Sequence, residues 1–314
     1  MPLTMKSYKL LLLLLLFNVS GEMSFAFNKL QGNLRENRIK YFLIDQNSSD
    51  YKTNRITINT QELYQKNEPI ELINLQFDKN SLILFSILPK GASSWEEVEK
   101  LTTEKQVLGF TALKELFKSG FDVYRTSNGL NDEHLKRDDI RLVFKVGNKY
   151  RISRFCITEF FQIIQQPMIF PNQMGNCYIN IESPTLTVKQ FEDKNISLFK
   201  TYSPNAIKSA EATGTSPLQA PMSKPLLFRS GFVHFNGKEA YKFWQYAGWN
   251  VADGSNSRRG IDRFLFMPGV GIVGGSFDFY FQHRVSNELL LKNYLSEQLM
   301  FPLSINGKPV NKKE

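Results

Sequence analysis

The spacing of apolar positions along this chain is mostly that of strands. Residues 38–45 set Ile39, Tyr41, Phe42, Leu43 and Ile44 between polar flanks, a short run suited to a largely buried strand. After a polar loop at 47–54, residues 55–60 alternate Ile56 and Ile58 with Thr57 and Asn59, the period-two pattern of a half-buried strand. Residues 70–77 and 81–88 form two more, and Asp78-Lys79-Asn80 between them makes a hairpin turn. Residues 139–146 and 149–158 alternate on either side of Gly147-Asn148, a second hairpin. Strands are also expected at 121–125, 177–182 and 185–191.

Two stretches carry helical spacing. Ser93-Ser94-Trp95-Glu96-Glu97 places serine three residues before glutamate twice over, the arrangement of a reciprocal N-terminal cap. A helix is therefore expected from there through Val98, Leu101, Val107, Leu108, Leu113, Leu116 and Phe117, interrupted near Gly109 and ended by Gly120 in a left-handed conformation. The other helix spans 287–300, with Leu290, Leu291, Tyr294, Leu295 and Leu299 recurring and Ser286 as its cap. Before it, 226–235 and 239–245 flank Asn236-Gly237, the strongest short hairpin signal in the chain. Strands at 262–267 and 276–284 follow, separated by a glycine-rich stretch.

These elements predict an α+β protein of antiparallel sheets with packed helices in two lobes. Pro204, Pro217, Pro221 and Pro225 among Ser, Thr, Ala and Gly mark 203–225 as a linker. It would join an N-terminal α+β domain at 27–202 to a C-terminal β-meander plus helix at 226–314. Residues 1–26 read as a secretory signal peptide: Lys6 and Lys9 precede the run Leu10 to Leu16, and small residues close the segment at Ala26, or alternatively at Gly21. Asn18, Ser20 and Glu22 interrupt that run well short of the roughly 20 apolar residues a membrane span needs. The mature chain would be exported, periplasmic in a Gram-negative cell, with no integral membrane segment.

Composition changes this picture in two places. The formal charge of +9 favours acidic partners, but only Arg258-Arg259 and Lys312-Lys313 are doubled, so no nucleic-acid-binding tract is implied. Cys156 and Cys177 are the only cysteines, and in an exported chain the natural pairing is a disulfide between them.

Candidate chemistry is sparse. Gly269-Val270-Gly271-Ile272-Val273-Gly274 matches the dinucleotide-binding glycine pattern, yet an alternating segment follows where a helix start is required, so a glycine-rich turn between strands is expected. Ser276, Asp278 and His283 lie close in sequence, but a strand would send the serine and histidine to opposite faces. His134, His234 and His283 form no metal-binding spacing, and neither cofactor nor metal is expected. The densest aromatic cluster, Tyr241, Phe243, Trp244, Tyr246 and Trp249, leads into Arg258-Arg259. Tyrosine, tryptophan and arginine are the residues enriched at binding hot spots, so Tyr241, Trp244, Tyr246, Trp249, Arg258 and Arg259 are the candidate binding residues. The function expected is that of a non-catalytic protein-binding protein of inhibitor or immunity type, with another exported or envelope protein as partner. The alternatives are an envelope hydrolase whose site is assembled from distant segments, and a carbohydrate-binding protein.

Overall fold

A computed structural model of the chain describes residues 39–91, 93–101, 106–127, 134–171, 175–193, 226–235, 237–246 and 260–310. In chain order its first half contains β1 (Lys40–Leu43), β2 (Lys52–Asn59), α1 (Gln61–Tyr64), β3 (Pro69–Phe77), β4 (Ser81–Ile87), β5 (Trp95–Val98), β6 (Gln106–Leu108), α2 (Phe110–Thr126), β7 (Lys136–Arg137), β8 (Ile140–Val146), β9 (Lys149–Ser153), β10 (Cys156–Ile164) and β11 (Tyr178–Asn180). The second half contains β12 (Leu226–Phe235), β13 (Lys238–Tyr246), β14 (Arg263–Met267), β15 (Gly271–Ser276), α3 (Asp278–Phe281), α4 (Asn287–Leu295), β16 (Pro302–Ile305) and β17 (Lys308–Pro309).

These strands form three sheets. The first has the order β5-β9-β8-β1-β6, the central one β11-β10-β4-β3-β2-β16-β17 with β7 also on β10, and the third is the meander β12-β13-β14-β15. Pairing is antiparallel except where β1 runs parallel to β6 and β8, and β10 parallel to β11.

The central sheet is apolar on both faces, and that dictates layering. Along β4, Leu82 and Leu84 enter one core while Ile83, Phe85 and Ile87 enter another, and β3 divides Ile70 and Leu72 from Ile73 and Leu75 in the same way. Such strands need cover on both sides. The first sheet and α2 cover one face through Phe42, Leu142, Leu113 and Phe117. The third sheet covers the other, with the Phe161 and Phe264 rings 5.5 Å apart across the layers.

Polar contacts then fix the layers in register. Asn74, fully buried in the middle of β3, donates from Nδ2 to the Ile272 carbonyl at 2.8 Å and accepts from the Ile272 amide at 2.7 Å. It meets β15 much as a neighbouring strand would. Gly271 permits this approach, because a Cβ there would collide with the Asn74 side chain. A second tie is ionic: Arg263 on β14 and Asp278 on α3, 1% and 0% exposed in their side chains, form a salt bridge. Tyr64 on α1 donates its hydroxyl to Asp278 at 2.8 Å and accepts from the Phe277 amide at 2.6 Å. Burial, and after it the Asp278 carboxylate, hold the Tyr64 phenol well above its usual pKa.

Several sequence expectations are corrected here. With 46% strand and 20% helix among the described residues, the fold is mostly β rather than α+β. The serine-glutamate pattern at 93–97 does not open a helix; Ser93 Oγ closes a turn with the Trp95 amide at 3.2 Å, and 95–98 is the edge strand β5. Burial of Trp95 decides this: its ring lies 5.6 Å from Phe144 and its Nε1 donates to Glu71 at 2.7 Å. A buried tryptophan with a satisfied N–H outweighs a cap worth about 1 kcal/mol. The helix starts instead at Phe110 and continues through Gly120 to Thr126, so 121–125 is helical. Gly120 is a point of close approach rather than a terminator, since a Cβ there would sit 2.6 Å from the His134 carbonyl oxygen. Residues 278–281 form a helical turn, not a continued strand, because Asp278 turns inward to Arg263. Residues 188–193 are also helical, so the strand expected at 185–191 is reduced to a bridge from Thr185 to Arg229.

The hairpins at 70–88, 140–153 and 226–246 match expectation, the second with one difference: β9 stays in the first sheet, and after a break at 154–155 the chain enters the central sheet as β10. The glycine pattern 269–274 is not only a turn: Gly269 turns the chain with φ +75°, but 271–274 already lies in β15, so the strand expected at 276–284 falls within the glycine-rich stretch and ends at Ser276. The leader at 1–26 and the proposed linker at 203–225 lie outside the described residues. On either side of 203–225 the chain shares one core, and β16 pairs with β2 of the central sheet.

Two outcomes follow from the buried ion pair. Asp278→Asn leaves the Arg263 guanidinium buried without its counter-charge and is expected to cost about 3–5 kcal/mol in urea denaturation, whereas Arg263→Met with Asp278→Leu recovers most of that loss. Because the Tyr64 pKa is raised on folding, its contribution is intact below about pH 10, where the unfolded phenol begins to ionise, and is lost as pH rises further. Tyr64→Phe is expected to be less stable at neutral pH but to show a shallower alkaline decline in pH-resolved denaturation.

Candidate functional site

The β12–β13 hairpin turns at Gly237, whose φ of +74° suits a residue without a Cβ. In the third sheet β12 is the outer strand. Its first half is covered: the Leu186 amide donates to the Arg229 carbonyl at 2.8 Å, and Thr185 bridges Arg229 in parallel. A register shift between Arg229 and Gly231 ends that cover. From Gly231 to Phe235 no further strand pairs with its outer edge among the described residues.

On this open half the side chains make a mixed aromatic and charged patch. Phe232 is 53% exposed and stands opposite Tyr241, the two ring centroids 6.5 Å apart. Its ring meets the His234 ring edge-on at 5.3 Å. Glu239, opposite His234, brings Oε1 to within 3.9 Å of its Nε2 and accepts the Tyr241 hydroxyl on Oε2 at 2.6 Å. That hydrogen bond to Glu239, with a smaller effect of burial, raises the Tyr241 pKa. The Arg229 guanidinium lies 5.9 Å from the Tyr241 ring while its Nη1 donates to the Ile181 carbonyl at 2.8 Å.

Of the candidate binding residues, the structure places Tyr241 in this patch and removes Trp244 from the surface. Trp244 is 1% exposed, packed between Phe228 and Tyr294, with its Nε1 donating to the Leu186 carbonyl at 2.7 Å. Tyr246 ends β13, and its side chain, like Trp249, Arg258 and Arg259, lies outside the described residues. Phe232, His234 and Glu239 were not among the candidates, although a legible signal existed. Counting outward from Asn236-Gly237 puts Phe232 opposite Tyr241 and His234 opposite Glu239.

A buried ion pair ties down the strand ends next to the undescribed stretch. Lys136 Nζ lies 3.5 Å from Glu159 Oε1 and donates to Gln245 Oε1 at 3.1 Å, while Glu159 Oε2 accepts the Ile261 amide at 2.8 Å. The Gln245 amide also donates to the Asp262 carbonyl at 2.9 Å. Both strand ends between which Trp249, Arg258 and Arg259 fall in sequence are thus anchored on one pair of charges.

The expected disulfide is not formed: Cys156 and Cys177 are both buried thiols. Register explains why. Cys156 begins β10, whereas the Cys177 carbonyl accepts the Gln162 amide, six residues further along that strand. At about 3.3 Å per residue this separates them by roughly 20 Å, and a bridge needs Cα atoms within about 7 Å. Burial pushes the Cys156 thiol up to about 12. A thiol reagent at neutral pH is expected to find both cysteines protected in the native protein and to titrate two thiols after unfolding without reductant. Finding none after unfolding would mean that a bridge had formed.

A groove of about 730 Å³ opens between the first and central sheets, lined by Tyr51, Lys52, Arg55, Phe144, Ser304 and Asn306 among others, and its lining contains no histidine and no carboxylate. Among the described residues no three histidine, cysteine or acidic side chains gather as a metal site, and no helix is long and apolar enough to cross a membrane. No family model, curated protein or solved structure matches the chain.

Proposed function

We propose that the chain is an exported, non-catalytic protein-binding protein of inhibitor or immunity type, which takes another exported or envelope protein on the open half of β12. The observation that carries this reading is a strand edge that, from Gly231 to Phe235, no described strand pairs, beside the exposed Phe232 and the half-buried Tyr241 opposite it. Such an edge offers main-chain donors and acceptors to an added strand, and its alternate side chains supply selectivity. Exposed edges also invite indiscriminate pairing, and the charged residues around this one, Arg229, Lys238 and Glu239, restrain that. The hydrolase alternative needs a histidine held against a carboxylate or hydroxyl in a cleft. His234 does approach Glu239, but their side chains are 61% and 46% exposed on a hairpin. The carbohydrate alternative called for Trp244 or Trp249 as a stacking surface; the Trp244 ring is buried, and Trp249 lies outside the described residues.

The reading is tested with tagged protein (residues 27–314) used to capture partners from an envelope extract. A protein recovered with the parent chain is expected to be lost when Phe232→Asp is introduced, with stability changed by no more than about 0.5 kcal/mol, as is usual for an exposed site. Capture of no protein, together with turnover of a cell-wall or lipid substrate, would reverse the assignment.

A further inference from the structure

The end of the central sheet where β10 stops carries the most exposed large hydrophobic side chains among the described residues: Ile169 at 89% and Phe170 at 66%. They are adjacent, and Pro167 and Pro171 bracket them. Two prolines within five residues restrict the backbone and lower its conformational freedom before any contact is made. The base of the loop is fixed as well. Asn180, fully buried, donates from Nδ2 to the Gln166 carbonyl at 2.9 Å and accepts the Gln166 amide at 3.4 Å. An isoleucine and a phenylalanine are therefore held out into water on a short, restrained projection, against the hydrophobic effect that draws such side chains inward.

Basic residues lie at this end of the sheet, with the exposed Glu182, whose amide donates to Asn180 Oδ1 at 3.1 Å, as the acidic residue beside the loop's base. Lys79 lies in the β3–β4 turn, which abuts the end of β10 where the Ile163 amide donates to the Asn80 carbonyl at 2.7 Å. Asp78 in the same turn is engaged by Lys114 at 2.7 Å. Arg125 stands 6.0 Å from the Phe121 ring, and that ring contacts Tyr178, the first residue of β11, at 5.7 Å. Two exposed side chains are too small an area for a stable protein interface, which buries roughly 1,200 Å² or more. They are enough to enter the headgroup region of a bilayer, where basic residues each add attraction to anionic lipids.

We infer that loop 167–171 is a peripheral membrane contact: Ile169 and Phe170 insert between the headgroups of an anionic bilayer, and Lys79 and Arg125, with the net positive charge of the chain, hold the molecule to that surface. The contact uses residues other than those of the β12 edge, although the carbonyl of Ile181, next to Asn180 at the loop's base, accepts from the Arg229 guanidinium of β12.

The test uses residues 27–314, so that the leucine run of the leader cannot contribute, in co-sedimentation with vesicles of phosphatidylglycerol and phosphatidylcholine, and with phosphatidylcholine alone. Binding is expected to the anionic vesicles, weaker to the neutral ones, and reduced by salt. The double variant Ile169→Asp, Phe170→Asp should bind at least about tenfold more weakly, since it removes the inserted apolar area and adds repelled charge. Because both positions are exposed, its denaturation midpoint should stay close to that of the parent. Phe170→Trp should shift its emission to the blue on anionic vesicles, and Phe232→Asp should bind them like the parent. Failure of the parent to bind anionic vesicles, equal binding by the double variant, or no emission shift while the protein is bound would overturn the inference. A parent that ignores vesicles but loses a captured protein through the double variant would assign the loop to a protein partner instead.

Discussion

The central sheet is apolar on both faces, and the other layers follow from that. A strand such as Leu82-Ile83-Leu84-Phe85 has no side that can be left to water, so it needs cover above and below. The first sheet with α2 provides one cover and the third sheet the other. The order of the chain follows the same requirement. After β9 it passes from the first sheet into the centre, and it returns at β16 to extend the central sheet once the third has been laid down.

Hydrophobic burial is non-directional and would allow such layers to slide. What sets their register is a small number of buried polar groups, each with a defined partner. Asn74 grips the β15 backbone through two hydrogen bonds, and Arg263, Asp278 and Tyr64 join β14, α3 and α1. Lys136 and Glu159 do the same for the ends of β13 and β14. A misplaced layer would leave one of these groups buried without its partner, a penalty larger than the net gain from forming the pair.

The surfaces assigned to function have the opposite character. Among the described residues no strand covers β12 beyond Gly231, where Phe232 is exposed, and the 167–171 tip holds Ile169 and Phe170 outward next to the anchored Gln166. Each is apolar material left outside a fold whose interior is otherwise layered. They involve different residues, one on the third sheet and one at the end of the central sheet.

Much of the strand content was legible, because period-two alternation and the turns at 78–80, 147–148 and 236–237 are local signals. The glycine pattern at 269–274 was legible only in its turn at Gly269, since the alternation after it became a helical turn once Asp278 met Arg263. The sequence alone therefore determined where most hairpins form and identified Tyr241 as a candidate. It could not say which face of a strand meets another sheet, so Trp244, which is buried, stood among the candidate binding residues and Phe232, exposed beside Tyr241, did not. Nor could it weigh a local serine-glutamate cap against the burial of Trp95, or place Cys156 and Cys177 at opposite ends of β10. Those outcomes depend on contacts between residues far apart in sequence, and only the packed tertiary structure brings such residues together.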